Sequence, residues 1–221
     1  MLLGHKKLLN TLSVVLASQS PRRQEILTNN LGFEKFICIP SNFNEDIDKS
    51  TCKTAEEYVE RTCLGKMNDI LSRRKDLNIQ PDLVISADTI VVGVDGSILE
   101  KPSDRNHAIS MLSSLQGNKH RVMTAVTLGF LAKSHEEYAI RSFVESTDVH
   151  FTPLEMSEIE AYCDSGEPYD KAGGYGIQGS AASFVEKIDG DYFNVVGFPV
   201  HRFAVELLDL MGVKVTSNSR E

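Results

Sequence analysis

Asp88 stands in VISADTIVV, residues 84 to 92, as a single carboxylate in an apolar, β-branched run. Burying a charge in such a run is costly unless the charge has a partner or a task. A carboxylate at the end of a buried strand can ligate Mg²⁺ or take a proton from water. It can equally cap a turn by accepting backbone N–H groups, and this stretch alone leaves both readings open. A second candidate is ASQSPRR, residues 17 to 23, which sets Arg22 and Arg23 directly after Ser-Pro. Ser20 stands where an N-cap belongs, and Pro21 at the first helical position. Cations at that end oppose the helix dipole. The two arginines therefore suit an anion such as a phosphate, held with the Ser18 and Ser20 hydroxyls and free backbone N–H groups. The plainer alternative is two solvated arginines on a helix start.

A third stretch, GEPYDKAGGYGIQGSAA, covers residues 166 to 182. Gly174, Gly176 and Gly179 spell GxGxxG, but the dinucleotide-binding motif must follow a strand and open a helix. This one follows a helix, so that reading is rejected. Glycines let backbone approach a ligand closely, Lys171 offers charge to phosphate, and Gln178 offers an amide to a base edge. A flexible loop is the bland alternative. No GxxxxGK[ST] sequence occurs, which excludes a P-loop enzyme. Isolated candidates are Lys66 on a long helix, Lys101 in LEKPSD, and Glu45, Asp46 and Asp48 in an acidic loop. Each has a solvated side chain as its ordinary reading, with metal ligation the sharper one for the acids. His120 in HRVMTAV reads as a strand-end hydrogen bonder.

The elements that must position these groups follow from pattern and punctuation. Ser13–Ala17 is a buried strand feeding a short helix that carries Ile26 and Leu27 inward and stops near Gly32. Phe36–Pro40 reads as a strand. Thr54 to Glu57 is a capping box opening a long helix with Val59, Cys63, Met67, Ile70 and Leu71 on one face. Leu83–Ser86 and Ile90–Val94 read as strands on either side of Asp88. Asp95-Gly96 marks a hairpin turn with Ser97–Glu100 returning. Ser103 is expected to cap a helix to Leu115. Two long strands follow, about 120–131 and 138–151. Thr152 to Glu155 is expected to open a helix with Pro153 at its first position, and that helix ends at Gly166. Short strands are expected over Ser183–Ile188 and Phe193–Val196, then a last helix from Pro199 to about Met211. Residues 1–12 read as an N-terminal extension, 13–211 as a single catalytic domain, and 212–221 as a frayed tail.

The 221 residues carry 23 Lys and Arg against 31 Asp and Glu, a formal net charge of -8. An acidic balance argues against a general nucleic-acid binder, which carries a basic face. It leaves room for an anionic small molecule in a local basic pocket. Cys38, Cys52, Cys63 and Cys163 show no CxxC or zinc spacing and read as free thiols of a reducing compartment. No run approaches transmembrane length, and the N-terminal apolar stretch is too interrupted for a signal peptide. The chain is therefore expected in the cytoplasm, with no membrane partner.

ASQSPRR, SADTIV, EKP, HRVMTAV, SGEPYDKAGGYGIQG and NVVGFPV together resemble, in order and spacing, the Maf family of nucleoside triphosphate pyrophosphatases. The resemblance runs from about Ser13 to Met211. It implies an elongated α/β fold, a mixed sheet flanked by helices with two lobes around a nucleotide cleft, commonly a homodimer. It implies hydrolysis of a nucleoside triphosphate to monophosphate and pyrophosphate with a divalent metal, usually Mg²⁺, with Mn²⁺ or Co²⁺ as alternatives. Asp88 matches the catalytic base and, with Glu45, the metal site. Arg22, Thr89 and Gln178 match positions associated with substrate choice. Ser18, Ser20, Arg23, Lys66, Lys101 and Lys171 look like the polar lining. Thr89 and Gln178 resemble the branch that prefers dTTP and UTP, since an amide and a hydroxyl suit the edge of a uracil-type ring. Modified pyrimidines such as 5-methyl-UTP, pseudo-UTP and 5-methyl-CTP are a variant of the same activity. The rival of a different class is a non-catalytic nucleotide-binding regulator of cell division or growth.

Overall fold

Val14, Val15 and Leu16 form β1 (Val14–Leu16), the fully buried strand from which the rest of the sheet can be traced. The computed structural model describes residues 2–131 and 137–213. β1 runs parallel to β2 (Ile37–Cys38) on one side and to β3 (Leu83–Val92) on the other. β3 then pairs antiparallel with β5 (Lys119–Phe130), β5 with β6 (Ala139–Phe151), and β6 with β7 (Val185–Asp189). β4 (Ile98–Leu99) returns on the far end of β3 after a turn at Gly96. The result is a mixed seven-stranded sheet in the order β2-β1-β3-β5-β6-β7, with β4 attached to β3. Helices flank it, as the sequence predicts for an α/β fold.

The helices in chain order are α1 (Lys6–Leu9), α2 (Pro21–Glu25), α3 (Ala55–Arg73), α4 (Arg105–Leu115), α5 (Met156–Asp164), α6 (Tyr192–Val196) and α7 (Val200–Leu210). α2 continues into a wider turn over Ile26–Asn30, which buries Ile26 and Leu27. α3 is opened by Thr54, whose hydroxyl accepts from the Glu57 N–H. It lays Val59, Cys63, Met67 and Ile70 against the sheet. α7 buries Phe203, Ala204, Leu207 and Leu208 on the opposite face with residues of β1, β3 and the turn after α2. The stretch read as an extension sends Leu2, Leu9 and Leu12 into the same core, with Leu2 and Leu9 buried. α4 and α5 close a separate core around Val91, Phe151 and Tyr175.

Four local expectations are corrected. β3 is one continuous strand, so Asp88 lies inside it rather than at an end. Asp104, not Ser103, caps α4, its carboxylate accepting from the His107 N–H at 2.9 Å. α5 begins at Met156 instead of Pro153, because Glu155 holds the cap position and Glu158 accepts from its N–H at 2.8 Å. The stretch Phe193–Val196 is helical, because Asp191 accepts from the Phe193 N–H and Gly197 ends the turn at φ 117°. The tail expected at 212–221 lies, from residue 214 on, outside the described residues.

Candidate active site

The cleft opens where β3 lacks a neighbour. β1 pairs with β3 only up to Ile85, and β4 joins it only at Val91. Between them that edge of β3 is free of strand, and the chain leaving β1 turns away through Ser18 into α2. Side chains of β3 alternate across the sheet. Ser86, Asp88 and Ile90 face α3: the Ser86 hydroxyl donates to the Cys63 carbonyl, and Ile90 packs with Tyr58, Val59 and Cys63. Thr89 faces the other side, toward Gly197.

On the α3 side, Lys66 is buried and its Nζ sits between two carboxylates, 2.8 Å from Asp88 Oδ1 and 2.7 Å from Glu45 Oε2. The solvated-lysine reading is thereby set aside. The charge of Asp88, whose side chain is 13% exposed, has its partner in Lys66. The remaining carboxylate oxygen is left for other ligands.

On the other side Arg23 fills the missing strand. Its Nη1 donates to the Ala87 carbonyl at 2.9 Å, a β3 group that no strand covers, and to Ser18 Oγ at 3.3 Å. Nε donates to the Gly197 carbonyl and Nη2 to Thr89 Oγ1, both at 3.0 Å. Burial lowers the Arg23 pKa, and the Asp88 carboxylate pulls the other way. Thr89 is bonded in turn to Thr124 Oγ1, whose hydroxyl donates to the Asn194 carbonyl. Ser20 caps α2, and its N–H donates to Ser18 Oγ.

The glycine-rich stretch forms the wall opposite α2 as three short turns, Glu167–Asp170, Ala172–Gly174 and Ser180–Phe184. Lys171 Nζ donates to the Glu167 carbonyl at 2.6 Å and lies 2.5 Å from Asp170 Oδ1. A Cβ at Gly176 would fall 2.6 Å from Lys171 Cε, and one at Gly179 would fall 1.9 Å from Glu167 Oε1. The glycines therefore make room for the cleft's own lysine and carboxylate. Glu167 accepts from the Tyr162 hydroxyl and the Ser180 N–H, both at 3.1 Å.

Eleven residues singled out from the sequence, Ser18, Ser20, Arg22, Arg23, Glu45, Lys66, Asp88, Thr89, Lys101, Lys171 and Gln178, line this one cleft of about 920 Å³, as does Asp46. Asp48, which caps the short turn Lys49–Thr51, and His120, which is buried beside Tyr175, do not. Three carboxylates that sequence reasoning missed line it too: Glu100, Glu167 and Asp170. Tyr58 donates to Glu100 at 2.8 Å, and Arg22 donates to Asp170 at 3.0 Å. The signal for the last two was in GEPYDK itself, where acids flank Lys171. Among the described residues no three His, Cys, Asp or Glu side chains converge as a metal cage. The oxygen donors present, Asp88 and Glu45, are of the type taken by a hard cation that keeps waters and substrate phosphates as its other ligands.

A family model described as "Maf-like protein" matches residues 13–210. The chain belongs to the Maf family. This Maf chain is 46% identical over 202 residues to a Homo sapiens protein named "Probable bifunctional dTTP/UTP pyrophosphatase/methyltransferase protein", covering 89% of this chain and 32% of that one. It therefore spans about a third of that relative's length. Against a "dTTP/UTP pyrophosphatase" of Carboxydothermus hydrogenoformans it is 44% identical over 200 residues, 89% of this chain and 97% of the relative. A Schizosaccharomyces pombe protein of the same name is 40% identical over 192 residues, 85% of this chain and 79% of that protein. The resemblance read from six sequence motifs is borne out. No helix among the described residues is long and apolar enough to cross a membrane.

Proposed function

We infer that this Maf protein hydrolyses nucleoside triphosphates, dTTP and UTP foremost, to the monophosphate and pyrophosphate, a house-cleaning activity on the nucleotide pool. The observation that carries this reading is the convergence of Asp88 and Glu45 on Lys66 in the same cleft as Arg22, Lys101 and Lys171. Relatives that share 40% to 46% identity over most of the chain bear the name of that activity. A divalent cation of the Mg²⁺ class, with Mn²⁺ or Co²⁺ as alternatives, would be held by Asp88 and Glu45. Such an ion supplies positive charge at phosphate oxygens and lowers the pKa of a bound water.

The chain's own residues do the rest. Asp88 accepts the proton of a water aimed at the α-phosphorus and orients it. Lys66 holds Asp88 in place. Arg22, Lys101 and Lys171 carry the charge that builds on the departing pyrophosphate. Thr89 and Gln178 present a hydroxyl and an amide to the base edge. A cytoplasmic enzyme is consistent with four free cysteines, and the homodimer rests on the family resemblance alone.

The test is pyrophosphate release from dTTP, UTP, CTP, GTP, 7-methyl-GTP and modified pyrimidine triphosphates. Asp88→Asn should lower kcat by on the order of a thousandfold, and Gln178→Ala should reorder the bases. An Asp88→Asn enzyme that turns over at the wild-type rate removes Asp88 from the reaction. Nucleotide binding with no product from any substrate supports the regulator instead.

A further inference from the structure

We propose that Phe43, seated on Gly65, is the positioning residue that delivers Glu45 to Lys66. The proposal rests on the pyrophosphatase reading for its consequence in turnover, but its geometry stands without it.

Residues 40–45 lie as a strap along α3. Arg73 Nη2 donates to the Pro40 carbonyl at 3.1 Å. One turn earlier, Asp69 accepts from Ser41 Oγ at 3.2 Å and from the Asn42 N–H at 2.9 Å. One turn earlier again, the Phe43 ring covers Gly65. Positions 65, 69 and 73 recur every fourth residue and so share one helix face. The strap ends with the Glu45 carbonyl 3.4 Å from the Tyr58 hydroxyl, whose proton goes to Glu100, and Glu45 Oε2 on Lys66 at 2.7 Å.

The Glu45 side chain is 57% exposed. An ion pair with one partner that open to water contributes little and does not hold a loop by itself. Ile47 holds the far side of Glu45, packing by Tyr58 and donating its N–H to the Glu45 carbonyl at 2.9 Å. On the near side the strap fixes the carboxylate, and Phe43 is its last anchor before Glu45. Gly65 supplies the independent observation. It sits mid-way in a 19-residue helix, where glycine is disfavoured relative to alanine. It is not among the residues of positive φ, so the backbone does not require it. Space does: a Cβ there would lie 2.4 Å from Phe43 Cζ, and the other ring atoms nearest to it are as close as 2.5 and 2.6 Å. The glycine is a seat cut for the ring, one residue before the lysine that Glu45 must reach.

The experiment uses the full chain and two readouts. Trace acetylation of lysines with acetic anhydride, followed by peptide mass spectrometry in the absence of nucleotide, reports access to Lys66 against Lys119 and Lys187 as exposed references. Steady-state kinetics on UTP reports kcat and KM separately. Gly65→Ala pushes the ring off its seat, and Phe43→Ala removes it without touching the helix. Both should raise Lys66 labelling several-fold, to the level of Glu45→Gln, with the reference lysines unchanged. Both should lower kcat on the order of tenfold, and Phe43→Ala with Gly65→Ala should be no worse than Phe43→Ala alone. A merely structural ring would lower the melting temperature without selecting Lys66. Wild-type labelling of Lys66 in a folded Phe43→Ala protein overturns the proposal. If the wild type hydrolyses no triphosphate, the function falls while the labelling still decides the positioning.

Discussion

Arg22 donates from Nη1 to Asp170 Oδ2 at 3.0 Å, joining the start of α2 to the first turn of the glycine-rich wall. The other oxygen of that carboxylate holds Lys171 Nζ. One side chain thus neutralises two cations assigned to the triphosphate. Burial pushes the Asp170 carboxyl up, but Lys171 and Arg22 outweigh it and hold its pKa below the usual value. Asp170 competes with phosphate for the same donors, so Asp170→Asn should bind pyrophosphate more tightly. The pair is partly exposed, at 27% and 60%, which limits the gain to roughly threefold at low salt, shrinking as salt is added. Isothermal titration of pyrophosphate at two ionic strengths measures it. Weaker binding by the variant would mean that Asp170 supports the bound anion.

Arg23 is bonded within the fold itself. Its guanidinium donates to the carbonyls of Ala87 and Gly197 and to the hydroxyls of Ser18 and Thr89. Arg23→Met leaves these acceptors unpaired at the edge of β3, at a cost of about 2 to 3 kcal/mol in unfolding free energy. Arg23→Lys should recover little of it, because an ammonium cannot reproduce the fork. Urea denaturation of the three proteins reads the difference. Unchanged stability with weakened nucleotide binding would make Arg23 a ligand rather than a brace.

Why some of this was legible in sequence and some was not has physical reasons. Ser20-Pro21, Thr54 and Asp95-Gly96 act through local hydrogen bonds and fixed φ, so their positions can be read from neighbours in the chain. β3 reads as two pieces because Asp88 breaks the apolar run, and the break is repaired by Lys66, 22 residues away. α6 reads as a strand because Phe193, Val195 and Val196 favour extended backbone, while Asp191 and Gly197 decide otherwise. Most of the polar residues chosen from the sequence meet in the cleft, Asp48 and His120 being the exceptions. Their pairing was hidden, since Asp170 finds Arg22 at a separation of 148 residues. The strap over α3 has no periodicity to announce it.

His120 ties the stability of the cleft wall to pH. It is buried, and its Nε2 lies 2.8 Å from the hydroxyl of Tyr175, which lines the cleft. Phe151 and Tyr175 meet its ring edge to face at 4.8 and 5.4 Å. Burial, with His150 adding and Asp148 opposing, pushes its pKa down to about 4. The folded value lies below the unfolded one of about 6.5, so the unfolded chain takes up the proton first. Stability from this group is therefore complete above about pH 6.5, falls as the pH drops toward 4, and levels off below. The loss approaches about 3 kcal/mol across that window. His120→Gln keeps a hydrogen-bonding group near Tyr175 but cannot titrate. Urea unfolding of both proteins at pH 7.5, 5.5 and 4.0 cancels the carboxylates they share. The variant should start less stable and gain on the wild type steadily as the pH falls. Parallel curves would mean that His120 takes up its proton at the same pH folded as unfolded, with its charge accommodated beside Tyr175.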